Sequence, residues 1–442
     1  MNAIFRSLSI YNYRLYFGGA LISNVGTWMQ RTAQDWIVLT KLTNHDAAAV
    51  GITMALQFGP QLLLMPLSGL IADRVNRRKL LMVTQIIMGL LGLGLGIIVL
   101  MNVATLWEVY LFAFGLGVTA AIDAPVRQTF ISELVSEKSI PNAVGLNSAS
   151  FNGARLIGPA VAGVLIASIG SGWVFVINAG TFAATLLALG LMRVDELQPS
   201  PKAGRKRGQI RAGWKYVGSR PDIVVILVMV FLVGTFGFNF PIFTSTMAVA
   251  FHQGADGFGI LSSVMAIGSV LGALLAARRE VPRIRVVTLA AAGFGISTLA
   301  AAFMPSYWTF AAVLIVVGLS SLTMMTSANA YVQTTTTPAM RGRVMALYMA
   351  IFAGGTPIGA PLVGWIANIA GPRWAVGVAA LSGLAAAGVA LGWMIVAGKL
   401  RLHRDPASRL RISASYRGQP VGRPVRPSPA DLATREIVVQ RG

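Results

Sequence analysis

The segment GLIADRVNRR, residues Gly69–Arg78, joins two long apolar runs at residues 48–71 and 80–101. Each run has close to the roughly 20 residues that an α-helix needs to cross a bilayer. Segments this apolar must satisfy their backbone hydrogen bonds internally, which favours helices. The segment between the runs carries one carboxylate and three arginines. It therefore predicts a short charged turn at a membrane surface, between two spanning helices.

Apolar runs of this length recur along the whole chain. We predict twelve spans, near residues 14–40, 48–71, 80–101, 105–127, 141–168, 173–193, 221–248, 257–277, 286–304, 307–328, 343–370 and 374–398. The expected fold class is all-α integral membrane, with twelve transmembrane helices in two six-helix halves. The predicted divisions are an N-terminal half at 1–193, a cytoplasmic linker at 194–220, a C-terminal half at 221–398 and a basic disordered tail at 399–442.

The composition supports a membrane protein and argues against a soluble one. Only 12% of the 442 residues are charged and 55% are apolar, whereas soluble domains carry about 25% charged residues. The net charge is +21, which in a soluble domain can indicate nucleic-acid binding. Here the charges fall between the apolar runs, so we expect a lipid bilayer and no nucleic acid as partner.

The positive charges also predict the orientation of the bundle. With the N-terminus inside, 32 of the 36 Lys and Arg residues lie in segments on the same side as the N-terminus. Cytoplasmic loops of membrane proteins carry such an excess of Lys and Arg. We therefore expect a multi-pass membrane protein with both termini in the cytoplasm.

Several kinds of chemistry are not supported by the sequence. There is no Cys, and the three histidines, His45, His252 and His403, are far apart, so neither a thiolate nor a histidine metal site is expected. No phosphate-binding loop, nucleophile elbow or metalloprotease motif occurs. We expect no enzyme activity and no cofactor, and an ion gradient as the source of energy.

The two halves share short sequences at a constant spacing. Ile157-Gly158 and Gly163 match Ile358-Gly359 and Gly364 at an offset of 201 residues. The matching residues lie on the fifth and eleventh predicted spans, which are equivalent positions in the two halves. This agreement predicts that the chain is a duplication of a six-helix unit.

The charged segment at 69–78 resembles the signature loop of the major facilitator superfamily. The superfamily pattern has Gly where this chain has Asn76, a residue that also tolerates left-handed backbone geometry. The resemblance implies the major facilitator fold and a loop that locks helix ends in one conformation. The residues it implicates in conformational gating are Gly69, Asp73, Arg74, Arg77 and Arg78. The alternative is a loop whose positive charges only orient the chain.

Further motifs narrow the resemblance. Residues 152–163 are similar to the Gly-Pro motif of major-facilitator antiporters, which implicates Gly158 and Pro159 in gating. Residues 24–36, 123–128 and 142–147 look like the enterobactin-exporter-like branch, and they add Asp123 and Arg127 to the gating residues. The resemblance implies an exporter of the bacterial inner membrane that works by alternating access, as a monomer.

A polar stripe on the first span is the main candidate for the solute pathway. Its members fall within an arc of about 120°, and they include Asn24, Trp28, Arg31, Gln34 and Asp35. Ionisable residues inside a membrane are candidates for function. Our hypothesis is that Asp35 couples transport to protons, with Arg31 as its switchable partner four residues away. A purely structural ion pair is the alternative.

Other spans supply further candidates for substrate binding. Arg155 can bind an anionic substrate group or the Asp35 carboxylate, or it can pack against the Gly-Pro bend. Gln57 and Gln61 lie on one helix face and can bind substrate or join helices. The remaining substrate-binding candidates are Asn152, Phe236 and Asn239.

These features predict a secondary active transporter. Our leading hypothesis is proton-coupled export of drugs or amphipathic or hydrophobic metabolites, with siderophores and lysolipids as possible substrates. The expected partners are a small organic substrate and protons. An importer or facilitator is the alternative within transport. A non-transporting membrane sensor is the alternative from another class, although it would need an output domain that the tail does not supply.

Overall fold

The structure, a computed structural model, describes residues 3–198, 209–277, 283–397, 400–404, 412–416 and 419–420. Some side chains within described helices lie outside that description, among them those of residues 65–74 and of Asn152. Residues 1–387, which contain the two six-helix halves up to that residue, form one compact unit. Residues 388–442 form a second unit.

The N-terminal half consists of six long helices. Their bounds are α1 Tyr11–Ile37, α2 Ala47–Arg74, α3 Arg77–Leu100, α4 Leu106–Leu134, α5 Ile140–Ile169 and α6 Ser171–Gly190. Short 3₁₀ segments lie at Ala3–Ser9, Glu137–Ser139 and Val194–Glu196, and a π-helical turn at Val38–Leu42 extends α1.

The C-terminal half follows a short amphipathic helix and repeats this layout. The bounds are α7 Gln209–Gly218, α8 Pro221–Leu232, α9 Phe240–Ala250, α10 Ala255–Ala277, α11 Ile284–Ala302, α12 Tyr307–Thr335, α13 Pro338–Ala370 and α14 Pro372–Val396. The seventh predicted span is broken into α8 and α9 by a π-helical turn at Val233–Gly237. Such turns interrupt the regular helix and often mark functional sites.

Eleven segments of the described chain are long and apolar enough to cross a membrane. The first helix, α1, has 27 residues and is also long enough, but its polar stripe lowers its apolar content. The twelve-helix prediction is thus confirmed, with α8 and α9 together forming one span at Pro221–Ala250.

The two halves match at the offset of 201 residues that relates their sequences. Gly170 after α5 and Gly371 after α13 both have positive φ, 88° and 95°. The helices α4 and α12 both begin with a capping box, one headed by Thr105 and the other by Ser306. The local signals that begin and end helices are therefore duplicated as well.

Several of the described contacts between the halves lie at one end of the bundle. We call this the far end; it carries the connections 38–46, 101–105 and 303–306. There α2 packs on α13 and α5 packs on α10. Backbones meet closely at Gly163 and Gly259, where a Cβ on Gly163 would lie 2.6 Å from the Gly259 Cα. Small residues permit this close approach between membrane helices.

Side chains add to this closure at the far end. Trp36 of α1 stacks on Phe258 of α10, with ring centroids 5.4 Å apart and an interplanar angle of 11°. The Asn368 amide donates to Asp46 Oδ1 at 2.5 Å, and Asn368 Oδ1 accepts from the Ala47 backbone N–H at 2.8 Å. These hydrogen bonds join the halves directly.

Toward the opposite, near end, which carries the connections 75–76, 135–139 and 336–337, one face of α5 becomes exposed. Ala162 and Ile166 on this face are buried. About three to six turns earlier, Val144, Ser148 and Phe151 lie on the same face at the helical spacing, and they are exposed. The gap between the halves is therefore open beside the first part of α5.

The linker helix α7 is anchored to the C-terminal half. A Cβ on Gly213 would lie 3.3 Å from a side-chain carbon of Leu347 on α13. After α7, Arg220 pairs with Asp222 at 2.8 Å and donates to the Thr335 carbonyl at 3.0 Å. Hydrogen bonding to Asp222 raises the pKa of Arg220, so this link stays charged at physiological pH.

The C-terminal segment contains three short strands where the sequence predicts no regular structure. They are β1 Leu400–Arg404, β2 Ile412–Tyr416 and β3 Gln419–Pro420, paired antiparallel in the order β1-β2-β3. Leu400 pairs with Tyr416 and Arg404 with Ile412. Alternation of apolar and polar residues in β1 and β2 favours strands, a signal that the basic composition of the tail masks.

Candidate functional site

The polar stripe of α1 is partly exposed at Asn24 and Trp28 and becomes buried from Arg31 onward. Arg31 is 8% exposed and Asp35 is 2% exposed. Arg31 Nε and Asp35 Oδ1 are both buried with no hydrogen-bond partner. Because buried polar groups normally have partners, these two atoms mark a place where a ligand, a proton or a rearranged side chain can bind.

The predicted ion pair between these two residues is not formed in this conformation. Four ion pairs occur within the described part of the chain, and none joins Arg31 to Asp35. The Arg31 guanidinium instead lies over aromatic rings, with its Cζ 4.4 Å from the Phe58 centroid and 5.2 Å from the Trp28 centroid. Cation–π contacts thus take the place of a direct ion pair, and Asp35 forms no ion pair within the described part of the chain.

Arg155 of α5 reaches the same indole ring. Its Cζ lies 5.7 Å from the Trp28 centroid, and the ring of Phe151 meets Trp28 edge to face at 5.9 Å. The structure therefore brings together three of the predicted site residues, Trp28, Arg31 and Arg155, with Asp35 one helical turn away. We call Trp28, Arg31, Asp35, Phe58 and Arg155 the arginine centre.

Glycine packing holds α5 against α1 at this point. A Cβ on Gly158 would overlap the Cβ of Trp28, so the close approach of the helices requires glycine here. Pro159 follows inside α5, where it lacks a backbone N–H and can bend the helix. The positions of Gly158 and Pro159 set the distance between Arg155 and Trp28, while their role in gating stays a prediction.

The predicted amides divide into two groups. Gln34 and Gln57 are fully buried and bonded to each other, with Gln57 Nε2 donating to Gln34 Oε1 at 3.2 Å, and Gln34 Nε2 donating to the Val109 carbonyl at 3.0 Å. This network joins α1, α2 and α4, which is the packing alternative for Gln57. Gln61 is partly exposed, one turn further along α2, and can still face the pathway.

The remaining first-half candidates lie near the α1–α5 contact. Asn24 Nδ2 donates to Ser150 Oγ at 3.3 Å, a hydrogen bond between the two helices. The Asn152 side chain lies outside the described residues, so its predicted role in substrate binding stays open.

The second-half candidates lie at the break between α8 and α9. Asn239 is buried and donates to the Thr235 carbonyl at 2.7 Å, while its own Oδ1 has no hydrogen-bond partner. Phe236 is partly exposed in the π-helical turn. Its neighbour Phe238 packs in an aromatic cluster with Phe240, Phe294 and Phe352.

The predicted gating pair Asp123 and Arg127 forms a buried network within the first half. Arg127 Nε donates to Asp123 Oδ2, and Asp123 Oδ1 accepts from Thr84 Oγ1 at 2.6 Å and from Gln85 Nε2 at 2.8 Å. This network fixes α3 against α4. Its charges balance, in contrast to those of the arginine centre.

The signature loop is tied to its own half in this conformation. Arg77 pairs with Glu133 of α4 at 2.6 Å, and Arg78 Nε donates to the Leu189 carbonyl of α6 at 2.7 Å. Asn76 has φ −60° and caps α3 through its side chain, so the turn does not use the left-handed geometry that we considered. The side chains of Asp73 and Arg74, and the surroundings of Gly69, lie outside the described residues.

Sequence reasoning missed several residues of these networks. Phe58 supplies the nearest ring to Arg31, and its only sequence signal is its position between Gln57 and Gln61 on one helix. Gln30 accepts a hydrogen bond from Asn178 of α6, on a face of α1 that the stripe does not include. Thr84 and Gln85 were indistinguishable from ordinary polar residues in an apolar span.

Two six-helix halves with a partly open gap and a buried charged centre define the class of protein as a membrane transporter. Comparison with known proteins gives the family. A model described as transmembrane secretion effector, of the major facilitator superfamily, matches residues 3–424. The chain belongs to this family of transporters, which agrees with the resemblance carried by its motifs.

Relatives and solved structures agree with this assignment. The Staphyloferrin A transporter of Staphylococcus aureus is 26% identical over 367 residues, covering 81% of this chain and 90% of the relative. The Enterobactin exporter EntS of Citrobacter koseri is 25% identical, covering 84% and 88%. A bacterial homolog of the human lysosomal transporter Spinster, inward-facing and occupied, has a TM-score of 0.69 at 16% identity, covering 86% and 96%. This last likeness shows the shared fold.

Proposed function

We propose that this protein is a proton-coupled exporter that works by alternating access on a siderophore or a similar amphipathic metabolite. The observation that carries the proposal is the arginine centre, a buried charged and aromatic site at the gap between the two halves. Ionisable groups at such a depth are costly unless a solute or ion uses them.

Alternating access is supported by where the halves meet. The described contacts of α2 with α13 run from the far end, where Asn368 bonds to Asp46, to mid-helix, and α5 meets α10 at Gly163 and Gly259. The first part of α5 is exposed beside the gap. If the positive-inside orientation holds, the open side is cytoplasmic, which suits loading of a substrate for export. Export then requires the far-end contacts to open while the near end closes.

Proton coupling is assigned to Asp35. Among the described residues, Asp35 is a carboxylate well inside a span that forms no ion pair, whereas Asp123 is paired with Arg127. A carboxyl group in this position can bind a proton on one side of the membrane and release it on the other. Arg31, one turn away, is the partner that can approach or leave it.

The substrate class follows from the relatives and from the site. Two curated relatives carry the names of siderophore transporters, for enterobactin and for staphyloferrin A. The aromatic rings around Trp28 suit a substrate with planar or apolar parts. We further propose a monomer in the bacterial inner membrane with cytoplasmic termini.

Everted membrane vesicles test the proposal. Vesicles that contain the full chain should accumulate iron-free enterobactin or staphyloferrin A when their lumen is made acidic and no ATP is added. A protonophore should abolish the accumulation. Equal accumulation in vesicles without the protein, for both compounds, would contradict the proposed function.

A further inference from the structure

The arginine centre carries an excess of positive charge. Arg31, Asp35 and Arg155 are the charged residues of α1 and α5 within it, and together they carry a net charge of one positive unit when Asp35 is ionised. The gating pair Asp123–Arg127 is neutral as a unit. The second-half spans contain no Asp, Glu, Lys or Arg away from their ends, so the opposite wall supplies no balancing anion.

Neither arginine of the centre forms an ion pair within the described part of the chain. Both guanidinium groups lie near one indole, at 5.2 Å and 5.7 Å from the Trp28 centroid, so the two Cζ atoms are at most about 11 Å apart. Two like charges at this separation repel each other in a poorly solvated site. Arg31 Nε is buried and has no acceptor, so this N–H can donate a hydrogen bond to a negative group.

The surrounding rings hold the guanidinium groups without neutralising them. Phe58 and Trp28 contact Arg31, and Trp28 also contacts Arg155. A cation–π contact fixes a guanidinium plane but leaves its N–H groups able to donate. The rings also offer an apolar surface directly beside the charges.

The centre is reachable from the gap between the halves. Arg155 lies on the α5 face that also carries Val144, Ser148 and Phe151, and this face is exposed before Pro159. Phe151 is 48% exposed while its ring still touches Trp28. A solute that enters along this face meets first an aromatic ring and then two guanidinium groups.

We propose that the transported substrate is an organic anion, whose negative group binds between Arg31 and Arg155 while its aromatic or apolar part lies against Trp28 and Phe151. This inference rests on the proposed transport function and specifies the charge of the substrate. The ionised Asp35 carboxylate repels a negative group, so it should weaken the binding of the anion.

A matched series of probes tests the sign of the charge. The probes are 2-naphthoate, 2-naphthamide and 2-naphthylmethylammonium, which share a ring system and differ in charge. Titration calorimetry is performed on the full chain in phosphatidylcholine nanodiscs, with empty nanodiscs as the blank. We expect naphthoate to bind about tenfold or more tightly than naphthamide, and the ammonium probe to bind most weakly.

The variants sharpen this test. Arg31→Gln and Arg155→Gln should each weaken naphthoate binding about tenfold, while Asp35→Asn should strengthen it about threefold or more. Arg155→Lys should retain part of the affinity, which separates loss of charge from misfolding. The control is Arg373→Gln, because Arg373 also lies over a ring, that of Phe251, but at the far end of the molecule. The Arg373→Gln variant should bind naphthoate with unchanged affinity.

The inference and the proposed function fail separately. Preference for the ammonium or the neutral probe, absence of naphthoate binding, or weaker naphthoate binding in Asp35→Asn would overturn the organic-anion assignment, whatever the vesicles transport. Charge-selective binding of naphthoate combined with no transport of enterobactin or staphyloferrin A would support the anion site and contradict the proposed siderophore export.

Discussion

The two walls of the gap are built on the same helical plan but carry different chemistry. In the first half, α1 and α5 place two arginines and one carboxylate around Trp28, and α3 and α4 hold the balanced pair Asp123–Arg127. In the second half, the equivalent spans carry no charge away from their ends. Their irregular feature is a change in backbone, the π-helical turn between α8 and α9.

This difference suggests a division of labour within a duplicated fold. The first half supplies groups that bind charge, while the second half supplies a broken helix that packs closely on α13. At Gly359 of α13, a Cβ would overlap the backbone carbonyl of Thr235 in the broken segment.

The largest effect is expected in the charged half, from Asp123→Asn. This change leaves the Arg127 charge buried beside a neutral amide, which costs about 3–5 kcal/mol of stability for a broken buried pair. We expect a large fall in the melting temperature of the purified protein, followed by intrinsic fluorescence. The double variant Asp123→Asn/Arg127→Gln should recover part of the loss, since no buried charge remains; a melting temperature equal to that of the single variant would refute this explanation.

A smaller effect is expected in the second half, from Gly359→Ala. The added methyl group meets the Thr235 carbonyl, and overpacking of this kind costs about 1–3 kcal/mol. Gly342→Ala is the matched control on the same helix, because a Cβ there meets nothing within 4 Å, and alanine favours the helix by up to about 1 kcal/mol. Equal melting temperatures for the two variants would contradict the close packing of α13 on the broken segment.

The smallest effect is expected at the joint, from Asn368→Ala. This change removes the hydrogen bonds to Asp46 and to the Ala47 N–H at the far end, and two such solvent-accessible hydrogen bonds, at about 0.5 kcal/mol each, are together worth about 1 kcal/mol. The population with an open far end should rise about fivefold. Because the sequence has no Cys, spin labels on introduced cysteines can report the distance between the far ends of α2 and α13. An unchanged distance distribution would contradict a role of these hydrogen bonds in keeping the far end closed.

Much of the fold follows from the sequence because apolar length and charge placement are strong signals in membrane proteins. The twelve spans, the charged turn at Gly69–Arg78 and the repeated glycines at the offset of 201 residues all appear there. The break in the seventh span does not, because a π-helical turn changes the hydrogen bonding of Val233–Gly237 without any loss of apolar character. The tail strands are likewise hidden by the basic composition around them.

The site was predictable in its members but not in its arrangement. Helical spacing placed Trp28, Arg31 and Asp35 on one face, and the position of the two ionisable residues inside a membrane span made this face a candidate site. Spacing also suggested an ion pair between Arg31 and Asp35. The structure shows Arg31 over Trp28 and Phe58 instead, because rings from α2 and the approach of α5 compete for the guanidinium. Contacts of this kind between distant segments cannot be read from one helix.

The contrast between the walls is tested most directly by proton-driven exchange in proteoliposomes that contain Asp35→Asn. Accumulation of iron-free enterobactin or staphyloferrin A driven by a pH gradient is measured beside substrate exchange without a gradient. Asn239→Ala serves as the matched change in the second-half wall. We expect Asp35→Asn to lose about 90% or more of the gradient-driven accumulation while keeping exchange, and Asn239→Ala to keep its dependence on the gradient. Full gradient-driven accumulation by Asp35→Asn would contradict the assignment of coupling to the first-half wall.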